Sequence, residues 1–278
     1  MVTILRPLSI SELLDRTFHL YRNHFLVFLG ITAIPQIVVL VLQLAGSALM
    51  FESPILGALF TGLIAGLASF IAVEVSQAAT VLAVSEIHLD RPANIGSAFS
   101  GAKESLGRVI GISIGVGLAV GVGFLLLVVP GIYLALIWSL AIPVTVLEGG
   151  GFGESTSRSK VLTKGSLGRI FVIFFLVVSL TIVVSLIIEL PLGMLAALLG
   201  QHYLGGMTAL VHAMQAVGNF LSTCLVGPLA TIAITLIYYD ERVRKEGFDL
   251  QLMMAALQPG STLPGSEPPA TAAAAPNS

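Results

Sequence analysis

Apolar residues fill three long blocks of the chain, Phe25 to Ser85, Val109 to Leu147 and Ile170 to Tyr239, and the polar residues gather between them. About 20 mainly apolar helical residues cross a hydrocarbon core about 30 Å thick, so each block has room for two crossings. Interruptions mark the expected turns. The first block breaks around Phe51, Glu52, Ser53 and Pro54. The second breaks at Pro130 and Gly131, where proline ends a helix and glycine permits a tight turn. The third breaks across Glu189, Leu190 and Pro191 and resumes by about Gly206. The predicted spans are about 25–49, 56–85, 109–129, 131–148, 170–189 and 208–238. Pro191 to Tyr203 is apolar but too short for a crossing, and is expected at the outer interface or as a re-entrant piece.

A short segment of helical period precedes each block. Ile10, Leu13, Leu14, Phe18, Tyr21 and Phe25 share one face, and Ser9 with Glu12 has the form of a capping box. Ile95, Ala98, Phe99, Ala102, Leu106 and Val109 repeat the pattern, with Asn94 placed to cap. The third segment, Phe152 to Lys164, carries Ser155, Thr156 and Ser159 on the corresponding face, and Gly165 is expected to end it. The predicted fold is therefore an all-α polytopic membrane bundle: about six transmembrane helices in three hairpins, each preceded by an amphipathic interfacial helix. Either one unit is used three times in a pseudo-threefold arrangement, or three inner segments simply have to begin somewhere. Each such helix is expected along the inner leaflet, its apolar face in the acyl boundary.

Composition agrees with this pattern. Of 278 residues, 56% are hydrophobic and 10% charged, against roughly 25% charged in soluble domains; the mean hydropathy is +0.99. All 13 basic residues fall before span one, between spans two and three, between four and five, or after six. Because basic residues near span ends resist translocation, both termini are predicted on the cytoplasmic side. Phe25 onward reads as a retained span, since no cleavage site follows a short apolar region. The net charge of −2 argues against nucleic acid as a partner. Residues 1–257 form the expected membrane domain, and 258–278, rich in proline, alanine, serine and glycine, a disordered tail.

Candidate chemistry is sparse. The GxxxG spacings of Gly111 with Gly115, Gly117 with Gly121, and Gly62 with Gly66 predict close helix packing. Glu74 lies about 16 Å from the inner end of span two, near the midplane. A carboxylate there marks either a polar functional site shared with Gln77, three residues along, or a protonated glutamate hydrogen-bonded between helices for packing alone. His212, Gln215 and Asn219 form a polar stripe, expected to face the outer interface. The five histidines and Cys224 lack metal-site spacing, so no metal or cofactor is predicted, and no nucleophile motif suggests a catalytic residue. Arg242 and Arg244 are expected to lock the inner face by ion pairs, with lipid headgroup contact as the alternative. Tyr238 and Tyr239 suit headgroup-level anchors.

Three stretches, RPLSISELLDRTFHLYRNHF, PGIYLALIWSLAIPVTVLEGGGFGESTSRSKVLTKG and YYDERVRKEGFDL, resemble the bacterial glycerophosphoryl diester phosphodiesterase membrane domain family and its stand-alone members. The resemblance runs to about Leu257 and implies a six-helix fold in the bacterial inner membrane. Some members join this region to a catalytic barrel, for which nothing after Tyr239 is long enough, so no catalytic residue carries over. Ser155 and Thr156 depart from the expected apolar pattern. The resulting expectation is a non-enzymatic scaffold or accessory protein of envelope or lipid physiology, with membrane lipids as partners and a protein partner or homo-oligomer left open. The rival is a small-solute transporter or lipid-handling protein with its polar site around Glu74 and Gln77.

Overall fold

The computed structural model describes residues 8–200 and 207–247. The tail predicted at 258–278 lies outside these. Among the described residues the chain is helical throughout, with no strand: α1 (Ile10–Asn23), α2 (Phe25–Glu52), α3 (Pro54–Leu59), a π-helical turn (Phe60–Ala65), α4 (Gly66–His88), α5 (Ile95–Leu126), α6 (Val128–Ile137), α7 (Ala141–Glu148), α8 (Phe152–Thr163), α9 (Leu167–Gly200) and α10 (Met207–Glu246). Six segments are long and apolar enough to cross a membrane: Phe25–Glu52, Pro54–His88, Ile95–Leu126, Val128–Glu148, Leu167–Ala196 and Ala209–Glu246. The protein is an all-α polytopic membrane bundle.

Local signals set most of the boundaries. Ser9 and Glu12 form the expected capping box on α1, and Asn94 accepts the Gly96 amide at the start of α5. Ser53 ends α2 and Pro54 opens α3 at a position where its missing N–H costs nothing. Other boundaries differ from the expected ones. The second hairpin turns at Leu127, and Pro130 belongs to the first turn of α6, where proline is tolerated. The segment from Ile95 is continuous with span three as one 32-residue helix, so the second hairpin has no separate interfacial helix. The expected break at Glu189 to Pro191 is absent, because α9 runs through Pro191. Proline removes one backbone donor, a loss that a packed neighbour makes tolerable in a membrane helix. That neighbour is α10, whose Gly218 lies so close beneath α9 that a Cβ there would sit 3.1 Å from the Leu192 side chain.

Helices α4 and α10 form the middle of the bundle. Helix α10 packs on α9, α2, α4 and α1, and α4 packs on α5, α2 and α7. The core is built from Phe28, Ile31, Val84, Leu140, Ile173, Leu236 and Tyr238. Helix α1 turns Leu13, Thr17 and Leu20 inward, so its face docks on protein, and Phe18 stays 44% exposed. Helix α8 also docks on protein, through Ser155, Thr156, Ser159, Leu162 and Thr163. The hydroxyl face that broke the expected pattern is thus the buried face.

Candidate functional site

Polar side chains inside the hydrophobic span layer gather on one seam between α2, α4 and α10. Thr32 and Gln36 from α2, Ser76, Gln77 and Thr80 from α4, and Thr223 and Thr231 from α10 line a cavity of about 190 Å³. Gln36 lies 11 residues past Phe25, hence about 16 Å into the layer. It is only 3% exposed, and its amide has no hydrogen-bond partner among the described residues. Thr32 donates to the Phe28 carbonyl at 3.0 Å and Ser76 to the Ala72 carbonyl at 2.7 Å, which leaves their oxygens able to accept. Pro35 in α2 and Pro228 in α10 deprive the carbonyls of Ile31 and Cys224 of their helical donors, so both helices carry backbone interruptions at this depth. Beside the seam, the Tyr21 hydroxyl donates to the Leu225 carbonyl at 2.6 Å and ties α1 to α10. Burial pushes this phenol up to about 12, with the nearby Cys224 adding to the effect.

One layer outward, toward the end opposite the basic segments, a second cavity of about 180 Å³ is lined by Gln43, Thr61, His212, Gln215, Ala216 and Asn219. The stripe His212, Gln215 and Asn219 therefore faces inward onto α2 and the π-helical turn, and does not merely face the outer interface. The two cavities follow each other along one α2/α10 contact: Gln43 is two turns from Gln36, and Asn219 is one turn from Thr223. Between the two glutamines of α2, Val39 is fully buried.

Glu74 and Gln77 do not share a site. Gln77 opens on the seam, whereas Glu74, 5% exposed, opens on a different cavity of about 350 Å³ with Ser113, Trp138 and Ser139 in its wall. Three residues along a helix turn a side chain by about 60°, enough to place neighbours on opposite sides of a contact. The Ser113 hydroxyl donates to Glu74 Oε2 at 2.6 Å.

At the basic end, ion pairs join the helices. Asp240, with its side chain 1% exposed, contacts Arg169 at 2.5 Å and Arg244 Nε at 2.8 Å, and accepts the Leu8 amide at 2.7 Å. Arg242 donates to the Tyr238 hydroxyl at 2.9 Å and to Glu246 at 3.2 Å, while Arg244 also donates to the Leu8 carbonyl at 2.6 Å. Arg158 bridges Glu148 and Glu246. Both arginines considered for headgroup contact are thus engaged by protein groups. Tyr238 and Tyr239 are interior residues, donating to Glu148 and Ser85 at 2.8 Å, and are not anchors at the headgroup level.

Gln36, Thr32, Gln43 and Thr80 were not among the residues expected to form a site. Their signal was present as polar residues at helical spacing, Thr32, Gln36 and Gln43 on α2, but each sits alone in an apolar run.

This fold and this seam define a polytopic α-helical membrane protein with buried polar cavities at mid-depth. No protein-family model, no curated protein and no solved structure matches the chain.

Proposed function

We propose that the protein is a non-enzymatic inner-membrane carrier or channel for a small uncharged, hydrogen-bonding solute, which passes along the α2/α4/α10 seam. The observation that supports this reading is the Gln36 amide, buried at mid-depth, facing a cavity and lacking a protein partner. An oxygen-rich occupant of the cavity can bond this amide, which no described protein group does. Among the described residues the walls offer amides and hydroxyls and no charged group, which selects for neutral solutes. The basic residues at the opposite end from the outer cavity orient the protein with its termini in the cytoplasm, so the outer cavity is the external vestibule. The scaffold reading gives the seam no role, and on that ground we rank it second.

The test is stopped-flow light scattering of proteoliposomes under glycerol and urea gradients. Wild-type protein is expected to speed swelling over empty liposomes, and Gln36→Leu with Thr80→Val to abolish the gain. Swelling equal to that of empty liposomes, in vesicles shown to hold folded protein, would return the assignment to the scaffold.

A further inference from the structure

Glu74 occupies a chemically different cavity from the seam. Its walls are Val116 and Val120 of α5, Ile142 of α7, Phe174 of α9 and Trp138 at the α6/α7 break, with Ser113 and Ser139 as the other polar residues. One carboxylate oxygen is held by Ser113 at 2.6 Å. The other has no hydrogen-bond partner among the described residues, and no lysine, arginine or histidine lines the cavity. An ionised carboxylate at this depth is costly without a counter-charge, and the described residues that line the cavity supply none.

The candidates for that counter-charge differ in what else they need. A divalent metal ion requires about six oxygen ligands, and one carboxylate with two hydroxyls among apolar walls falls well short. A hydrophilic cation would lose its hydration against valine, isoleucine and phenylalanine. A cation carrying its own apolar surface meets both demands, because its charge pairs with Glu74 while its body packs on the walls, and an indole is the aromatic group most favourable to a cation.

We propose that this cavity is a binding site for a small hydrophobic organic cation of the ammonium class, with Glu74 as its counter-ion. The inference stands apart from the solute seam, since only Ile234 lines both cavities.

Trp138 is the single tryptophan of the chain and lies in the cavity wall, so its emission reports occupancy directly. The probe is benzyltrimethylammonium, whose charge does not depend on pH, compared with neopentylbenzene, its uncharged counterpart of the same shape. Each is titrated into the full-length protein in nanodiscs of zwitterionic lipid, with empty nanodiscs as the blank. The cation is expected to shift Trp138 emission saturably, and Glu74→Gln to weaken it at least tenfold while leaving the neutral compound unchanged. Gly117→Leu, which grows a side chain into open space at the wall, is expected to block both compounds with Glu74 intact. Equal affinity in wild type and Glu74→Gln, equal affinity for the two probes, retained binding in Gly117→Leu, or no saturable response from a wild-type protein of unchanged melting temperature would each overturn the assignment.

Discussion

The Ser159 hydroxyl lies 2.8 Å from the carbonyl oxygen of Ile137 and donates to it, while accepting the Leu140 amide at 3.2 Å. It thereby satisfies one donor and one acceptor at the break between α6 and α7, in a layer where water is scarce and an unpaired backbone group is expensive. Thr163 approaches the same carbonyl at 3.4 Å. The second half of the buried α8 face is accordingly polar at Ser159 and Thr163 because the surface they cover is an opened stretch of backbone.

Ser159→Val is expected to lower stability by about 1–3 kcal/mol, since the buried Leu140 amide loses its partner while the Ile137 carbonyl keeps only the longer approach of Thr163. Ser159→Thr keeps the hydroxyl and is expected to cost less than half as much. Thermal unfolding in detergent micelles, followed by helix signal, measures both. Equal losses would mean that volume, not hydrogen bonding, governs the position.

Asp240 joins three chain segments by contacting Arg169, Arg244 and the Leu8 amide. Removing one partner of a buried ion cluster leaves the others uncompensated, typically at about 3–5 kcal/mol. Asp240→Ala is therefore expected to fall in that range, and to free the start of α1 so that protease cleavage near Leu8 accelerates. A loss below about 1 kcal/mol would show that the cluster is as solvated as an ordinary surface pair.

Gln36→Leu is expected to leave stability unchanged or to raise it by about 1 kcal/mol, because an amide that bonds no described protein group is replaced by an apolar one. Solute-driven swelling is expected to fall in the same variant. A clear loss of stability instead would mean that the amide is satisfied in the membrane and that the seam is a packing feature.

Glycines separate into two groups that spacing alone does not distinguish. A Cβ on Gly57 would stand 2.7 Å from the Met50 amide nitrogen and 2.8 Å from the Gly46 carbonyl oxygen, both backbone atoms, whereas nothing approaches Gly62, Gly111, Gly117 or Gly121 within 4 Å. Of the six GxxxG glycines only Gly115 is tightly packed, against the Phe152 ring. Gly57→Ala is expected to cost about 1–3 kcal/mol through overpacking. Gly111→Ala is expected to be neutral or slightly stabilising, given alanine's better helix propensity of about 1 kcal/mol. Denaturant titrations of the two variants in one detergent decide the point.

Much of the fold was legible along the chain. The capping box at Ser9 and Glu12, the cap at Asn94, the turn at Ser53 and Pro54 and the count of spans all follow from local residue chemistry. The misplaced boundaries at Pro130 and Pro191 share one cause. Proline is a strong stop signal in isolation, but it is tolerated in a first helical turn and along a packed membrane helix, and neither context is visible in its own neighbourhood. Ser159 looked like a flaw in an amphipathic face because the backbone break that it bonds lies some twenty residues earlier in the chain, while Ser155 and Thr156 turn their hydroxyls back onto carbonyls at Gly150, Phe152 and Gly153.

The candidate sites were legible only in part. Glu74 stood out by depth and charge, and its seclusion in a cavity was expected on one of the two readings, but its separation from Gln77 was not. Arg242 and Arg244 were placed correctly at the end of α10, with their partners among Tyr238, Asp240 and Glu246 available one turn away.

What the sequence determined by itself was how many segments cross the membrane and which stretches of chain they draw on, because transfer from water to hydrocarbon is nearly additive over local residues. What only the tertiary structure decided was which side chains share a cavity or a bond: Gln36 and Gln77 line one seam, Glu74 pairs with Ser113, and Asp240 with Arg169. In water the polar and apolar faces of a helix fix its rotation about its own axis. Inside a bilayer, lipid and protein interior are almost equally apolar, so that rotation is set by packing with distant partners and leaves little trace in local hydropathy.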